Sequence, residues 1–317
     1  MTEMNIRELQ KSLEEFIFVG QAHKLGVFDS LAENPESAAG LARRMRWDAR
    51  ATLALLDALD EMKYLKKSKD VYSVPAGVIK RLVEREGKQY EGDFWQFLYY
   101  LVNPWRTLAH VLKTGMPDRQ SYKDFSMADF IRGMDSPWKK AVAPEIVDAC
   151  LKLAPHAKSA WDIGGAPGTV AREFALRGID TLIFDLPESN AVMGTELTRL
   201  DRVSVKDGDA TNSLPEGTCD IAFLGNLCHG QSPEDNRKIL RMCMERLNPK
   251  GIVVIFDNLK GEDMRAATLA LHMITQSPAG NIYTRREYLG WLRGAGYRKL
   301  KVQKLADPAW SLVIGFR

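Results

Sequence analysis

Ser159-Ala160-Trp161-Asp162-Ile163-Gly164-Gly165-Ala166-Pro167-Gly168-Thr169 decides the fold, together with Thr181-Leu182-Ile183-Phe184-Asp185-Leu186-Pro187 about twenty residues on. An apolar run ends in an acid, breaks into glycines and passes into the helical pattern Val170 to Ala175, which spells strand, tight turn and helix N-terminus. A turn of this kind lets backbone approach a ligand that a side chain would hold away. Asp185, closing the next apolar run, is placed to accept hydrogen bonds from ribose hydroxyls.

Spacing separates the candidate nucleotides. A dinucleotide fingerprint G-x-G-x-x-G counted from Gly164 meets Gly164, Ala166 and Thr169, so the third glycine is missing and a nicotinamide cofactor is disfavoured. Counted as D-x-G-x-A-x-G, the same stretch gives Asp162, Gly164, Ala166 and Gly168. That pattern resembles motif I of S-adenosyl-L-methionine (SAM) dependent methyltransferases, and the resemblance implies that the acid serves the ligand's ammonium group.

Composition bounds the rest. A chain of 317 residues with 45% apolar and 27% charged residues can bury a full core and has room for two domains. Its net charge of +3 is too small to argue for a polyanionic partner, and no nucleic acid is expected. Cys150, Cys219, Cys228 and Cys243 show neither C-x-x-C spacing nor a disulfide framework, which suits a reducing cytoplasm. Met1 to Arg7 lacks the apolar core of a signal peptide, and the aromatic run Phe94 to Val102 is far below spanning length, so no membrane segment is expected.

Upstream of the glycine turn, residues 6–31 read as two amphipathic helices. Ser37 opens a third over 38–45, a turn at Trp47-Asp48 leads to a fourth, and 64–67 and 71–74 pair as a hairpin across Ser68-Lys69-Asp70. Helix, turn, helix and hairpin describe a winged helix. Its reading helix would present Arg50 against Asp57, Asp60 and Glu61, and acids facing phosphates argue for a structural use rather than DNA binding. Its leucines on more than one face suggest packing on a second domain or a twin subunit.

The expected domains are 1–90, a winged helix; 91–150, a helical connector lining the substrate pocket; and 151–317, the nucleotide-binding domain. The connector is rich in aromatics and methionines, including Trp105 and Phe125, which suits a flat apolar ligand as well as ordinary packing. Downstream, apolar runs at 160–163, 181–185, 204–206, 221–227 and 252–257 alternate with helical patterns, the signature of an α/β parallel sheet. A closing hairpin, 298–305 and 310–316, turns at Ala306-Asp307-Pro308 and places one antiparallel strand in this Rossmann-like sheet. Ligands of such sheets lie beyond the carboxyl ends of the strands, where Asp162, Asp185, Asp209, His229 and Asp257 fall.

Several stretches resemble, in order and spacing, the plant-type small-molecule O-methyltransferases and their bacterial relatives. They are Trp161 to Gly165, Phe184 to Pro187, Gly208-Asp209-Ala210, Leu227-Cys228-His229-Gly230-Gln231-Ser232-Pro233-Glu234-Asp235, and Tyr283 to Tyr297. The resemblance covers nearly the whole chain. It implies a SAM methyltransferase sheet, an N-terminal winged helix that makes a homodimer, and a small aromatic or polycyclic acceptor, with S-adenosyl-L-homocysteine as product. It also implies that Gly164 lies against SAM, that Asp185 holds the ribose, and that Asp209 and Ala210 read and cover the adenine. Asp162, Gly165, Gly168, Leu186, Gly225 and Asn226 complete the expected cofactor cleft. His229 matches the base, suited to take a proton as a substrate oxygen attacks in line. His272 and Met273 fall on a helix that borders the acceptor pocket in this family.

The chain departs from the family pattern near the base. The acid and aromatic that usually follow the histidine are Gly230 and Gln231, and a lysine near the cofactor is replaced by Gly225. Asp257 aligns with one glutamate flanking the histidine, and Ile282 with the other. Methyl transfer to carbon or nitrogen, SAM kept as an unreacted part of the site, and a ligand-sensing DNA regulator therefore stand as alternatives. His23, His110, His156 and His272 lack metal-ligand spacing, and no metal site is expected.

Overall fold

The computed structural model describes residues 5–123 and 125–317; Met1 to Met4, on which part of the N-terminal reading rested, and Asp124 of the connector lie outside them. The chain divides into two compact units, Met1–Tyr100 and Leu101–Arg317.

The first unit holds α1 (Ile6–Lys24), α2 (Val27–Glu33), β1 (Glu36–Ser37), α3 (Ala38–Met45), α4 (Ala49–Glu61), β2 (Lys66–Ser68), β3 (Val71–Ser73) and α5 (Ala76–Leu82), with the boundary falling inside α6 (Gly92–Arg106). Ser37 caps α3 through the Gly40 amide (3.1 Å) and Asp48 caps α4 through the Ala51 amide (2.8 Å), so the helix starts are written locally. The hairpin β2–β3 gains β1 as a third strand. The acids of α4 are engaged inside the unit. Asp57 accepts from Lys67 Nζ (2.7 Å) and the Tyr72 hydroxyl (2.6 Å), and Asp60 accepts the Lys67 amide (2.9 Å), tying the hairpin to the helix.

The second unit continues with α7 (Leu108–Thr114), α8 (Met127–Met134) and α9 (Pro137–Leu153), and then the alternation begins. β4 (Ser159–Ile163), α10 (Thr169–Leu176), β5 (Asp180–Asp185), α11 (Pro187–Leu197), β6 (Val203–Asp207), β7 (Cys219–Gly225), α12 (Pro233–Arg246), β8 (Leu247–Asn258), α13 (Met264–Gln276), α14 (Arg285–Gly294), β9 (Leu300–Lys304) and β10 (Trp310–Phe316) follow in order. The sheet runs β6-β5-β4-β7-β8-β10-β9, parallel except for β10, which is antiparallel to both of its neighbours. Both faces are covered. Ile252, Val254 and Phe256 of β8 pack with Phe174, Phe223 and Leu312, while Val253 and Ile255 pack on the opposite face with Trp161, Leu224 and Trp291. This two-sided burial explains why the central strands read as unbroken apolar runs.

The hairpin enters the sheet in an order its sequence position does not announce, since the last strand lies inside the one before it. Leu312, Val313 and Ile314 are fully buried, whereas β9 alternates lysines with half-buried residues, so the more apolar strand takes the inner place. Several strand boundaries shift by one or two residues, and one shift bears on the site. The run 221–227 ends as a strand at Gly225, because Asn226 takes a left-handed backbone (φ 57°) and turns the chain into the short 3₁₀ turn Cys228–Gly230. That turn carries His229 to the carboxyl rim.

Candidate active site

The glycine turn is fixed from three sides. The Gly164 amide donates to the Phe184 carbonyl (2.8 Å), the Ala166 amide donates to Asp185 Oδ2 (2.9 Å), and the Leu186 amide to Asp185 Oδ1 (2.7 Å). Gly164 and Gly168 have φ of 68° and 83°, and a Cβ on Gly165 would stand 2.5 Å from the Asp162 carboxyl carbon. Backbone therefore lines this turn, and only glycine fits. Burial pushes the Asp185 carboxyl up, while the Ala166 and Leu186 amides and the Ser189 side chain, from which it accepts hydrogen bonds, pull it down.

Asp162 is buried beneath the turn, and burial raises it to about 7 despite the nearby Lys139. Lys139, in the first turn of α9, lines the same recess as Asp162, Gly164, Gly165, Thr169 and Gly225, and burial depresses its ammonium. Asn226 leaves a buried Oδ1 without a partner at the same strand end. Asp209, beyond β6, accepts the Thr211 amide (2.8 Å) and hydroxyl (2.7 Å) on one oxygen and Asn212 Nδ2 (2.9 Å) on the other, beside the buried Ala210. Leu186 stands partly exposed where α11 begins.

The second cluster surrounds His229. Its Nδ1 meets Asp257 Oδ1 at 2.8 Å, and Asp257, with no exposure, also accepts the Asn258 amide (2.8 Å) and the Tyr288 hydroxyl (2.7 Å). With a carboxylate facing Nδ1, the ring carries its proton there and leaves the Nε2 lone pair free. Ile282 is buried and apolar, so no second carboxylate flanks the ring at that position.

His272 has the opposite arrangement. Trp105 Nε1 approaches its Nδ1 at 2.9 Å; an indole N–H can only donate, so Nδ1 accepts and the neutral ring carries its proton on Nε2. Burial, and the charge of nearby His229, lower His272 to about 4. Of the expected acceptor contacts, Trp105 and His272 are thus brought together. Phe125 packs on Phe130 (6.0 Å between ring centroids), and Met273 supplies its carbonyl to the Ser277 amide (2.9 Å) at the end of α13. The Tyr122 hydroxyl donates to the Thr275 carbonyl (2.6 Å), tying the segment before Phe125 to the same helix.

Two residues of these clusters were not singled out by their sequence position. Tyr288 lies inside the stretch Tyr283 to Tyr297, but nothing there distinguishes its hydroxyl as a partner of Asp257. Lys139 sits beside Lys140, which is exposed and pairs with Asp135 (3.1 Å); only the helix phase separates the two. Among the described residues, no three His, Cys, Asp or Glu side chains are grouped to hold a metal ion.

A parallel sheet with one inserted antiparallel strand, a glycine turn over an acid, and a carboxylate at the end of the next strand are the features of a SAM-dependent methyltransferase. The O-methyltransferase domain model matches residues 111–298, and the chain belongs to that family. It is 27% identical to the tetracenomycin polyketide synthesis 8-O-methyl transferase TcmO of Streptomyces glaucescens, over 93% of this chain and 91% of that protein. It is 25% identical to the S-adenosyl-L-methionine-dependent methyl transferase PigF of a Serratia strain, over 93% and 90%. The solved structure of PigF with SAH superposes with a TM-score of 0.80 at 24% identity over the whole of both chains. Human N-acetylserotonin methyltransferase in complex with SAM gives 0.77 at 20% identity, over 100% of this chain and 99% of that one. The protein is a SAM-dependent O-methyltransferase that acts on a small-molecule acceptor.

The state of His272 sets a pH dependence. Its folded pKa lies below the ordinary 6.5, so the unfolded chain binds the proton first; this contribution to stability is full above about pH 6.5 and is lost as pH falls toward about 4. Between pH 6.5 and 4.5 the wild type should lose about 1–2 kcal/mol more unfolding free energy than His272→Gln. Urea titrations at the two pH values check this, and equal losses would refute a ring held neutral in the fold.

Proposed function

We propose that the enzyme methylates a hydroxyl oxygen of a small aromatic or polycyclic molecule, with His229 as general base and Asp257 orienting it. The observation that carries this is the unbroken chain from His229 Nδ1 through Asp257 to the Tyr288 hydroxyl and the Asn258 amide, which leaves Nε2 as the free acceptor at the strand rim. The missing second carboxylate is offset because Asp257 is itself held by two donors. Neutral His272, with its proton on Nε2, can donate to the acceptor; Trp105, Phe125 and Met273 would supply apolar walls.

In the cofactor cleft, Gly164, Gly165 and Gly168, whose Cβ positions are closed by Leu227, Asp162 and Leu197, would let the ligand lie against backbone. Asp185, with Leu186 beside it, would take the ribose hydroxyls, Asp209 and Ala210 the adenine, and Gly225 and Asn226 the wall opposite Asp162. Bound SAM supplies an electrophilic methyl group on a sulfonium. The protein's own contribution is to align the acceptor oxygen and to accept its proton on His229 Nε2.

The expected division into 1–90, 91–150 and 151–317 gives these parts a winged helix, a pocket-lining connector and a cofactor domain. We also propose a homodimer built through the winged helix: Ile6, Leu9 and Leu13 recur on one face of α1 and stand about half exposed or more. Four buried free thiols suit a cytoplasmic setting. Sedimentation as a monomer at micromolar concentration would remove the dimer.

Two substitutions separate binding from chemistry. Asp185→Ala should weaken SAM by about 1–3 kcal/mol in calorimetry with the far-ultraviolet circular dichroism intact; unchanged affinity would refute the ribose site. His229→Ala should lower turnover by about 10²- to 10⁴-fold and leave SAM affinity nearly alone. Turnover within about threefold of wild type would leave alignment, rather than a base, as the source of rate.

A further inference from the structure

Lys139 is 9% exposed and Asp162 3% exposed, and both line the recess under the glycine turn. A buried ammonium calls for a partner, since an unpaired buried charge is costly. Yet the Lys139 ammonium makes no hydrogen bond or ion pair among the described residues, although Asp162, Asp135 and Asp185 act on it through space. All three acids already accept hydrogen bonds from other groups, Asp162 from the Ala171 amide. Asp135 holds Lys140 (3.1 Å), Arg172 (3.2 Å) and the Thr169 hydroxyl (2.6 Å), while Asp185 holds the Ala166 and Leu186 amides. The recess is left with one buried acid and one buried base that face the same space without closing on each other.

A ligand complementary to such a pair carries one ammonium and one carboxylate on the same carbon, which is the head of an α-amino acid. We propose that Lys139 binds the carboxylate of the cofactor's methionyl group while Asp162 takes its ammonium, an assignment that rests on the cofactor cleft described above. The position where the resemblance expects a lysine is Gly225, and Gly225 lines this same recess. The cation is thus supplied from α9 instead of from the end of β7. A side chain at 225 would also be crowded, because a Cβ there would lie 2.7 Å from the Phe223 ring.

The test compares SAM with decarboxylated SAM, which keeps the nucleoside, the sulfonium and the amine but lacks the carboxylate. Wild-type protein should prefer SAM at least tenfold in calorimetric Kd, the range of a charge-assisted hydrogen bond. Lys139→Met should reduce the preference below about threefold, and Lys139→Arg should retain most of it. Equal binding of the two ligands by wild type would overturn the assignment without any variant, as would a Lys139→Met protein that weakens both ligands in parallel and keeps the tenfold ratio. Asp185→Ala separates this failure from that of the cleft itself. It should weaken both ligands together with the ratio unchanged, and if it moves neither, the cleft and with it the role of Lys139 are lost.

Discussion

The fold of the second unit depends on one close approach of backbone to carboxylate: Asp185, at the end of β5, reaches back to the Ala166 amide in the turn that follows β4. The bond shapes a turn whose glycines adopt conformations closed to other residues. Adjacent parallel strands make this possible, because their carboxyl ends lie side by side at the same rim. A bulky residue at Gly165 would strike Asp162, so the two acids and the turn between them form one interdependent piece.

Burial then decides what the charges in this piece can do. Asp162 is pushed up to about 7 and Lys139 is pulled down by the same removal of water, so burial makes charge on either group costlier than on a surface acid or lysine. Exposed acids and lysines of the first unit behave otherwise. Asp57 is held below the usual carboxylate range by Lys67 and Tyr72 in direct hydrogen bonds, a pairing that fastens a hairpin and needs no ligand.

On the acceptor side, identical residue types are given opposite roles by their partners. A carboxylate against Nδ1 makes His229 an acceptor at Nε2, and an indole N–H against Nδ1 makes His272 a donor there. Neither role follows from histidine itself. Burial first, and then the charge of a protonated His229, discourage protonation of His272.

The linear chain determined a great deal by itself. The glycine turn, the alternating sheet with its antiparallel hairpin, the helix caps at Ser37 and Asp48, and the acids at the strand ends are all legible because each depends on residues a few positions apart. Strand periodicity and turn chemistry are local properties. Tertiary structure alone decided the rest. The inner place of β10 was settled by competition between two strands for the core; Tyr288 found Asp257 across 31 positions, and Trp105 found His272 across 167. Which of the neighbouring Lys139 and Lys140 faces the recess turned on the phase of α9 against β4, and Asn226 ended β7 two residues early by turning left-handed. Such pairings join residues brought together only by packing, and a one-dimensional pattern of types and spacings carries no record of which surfaces will meet.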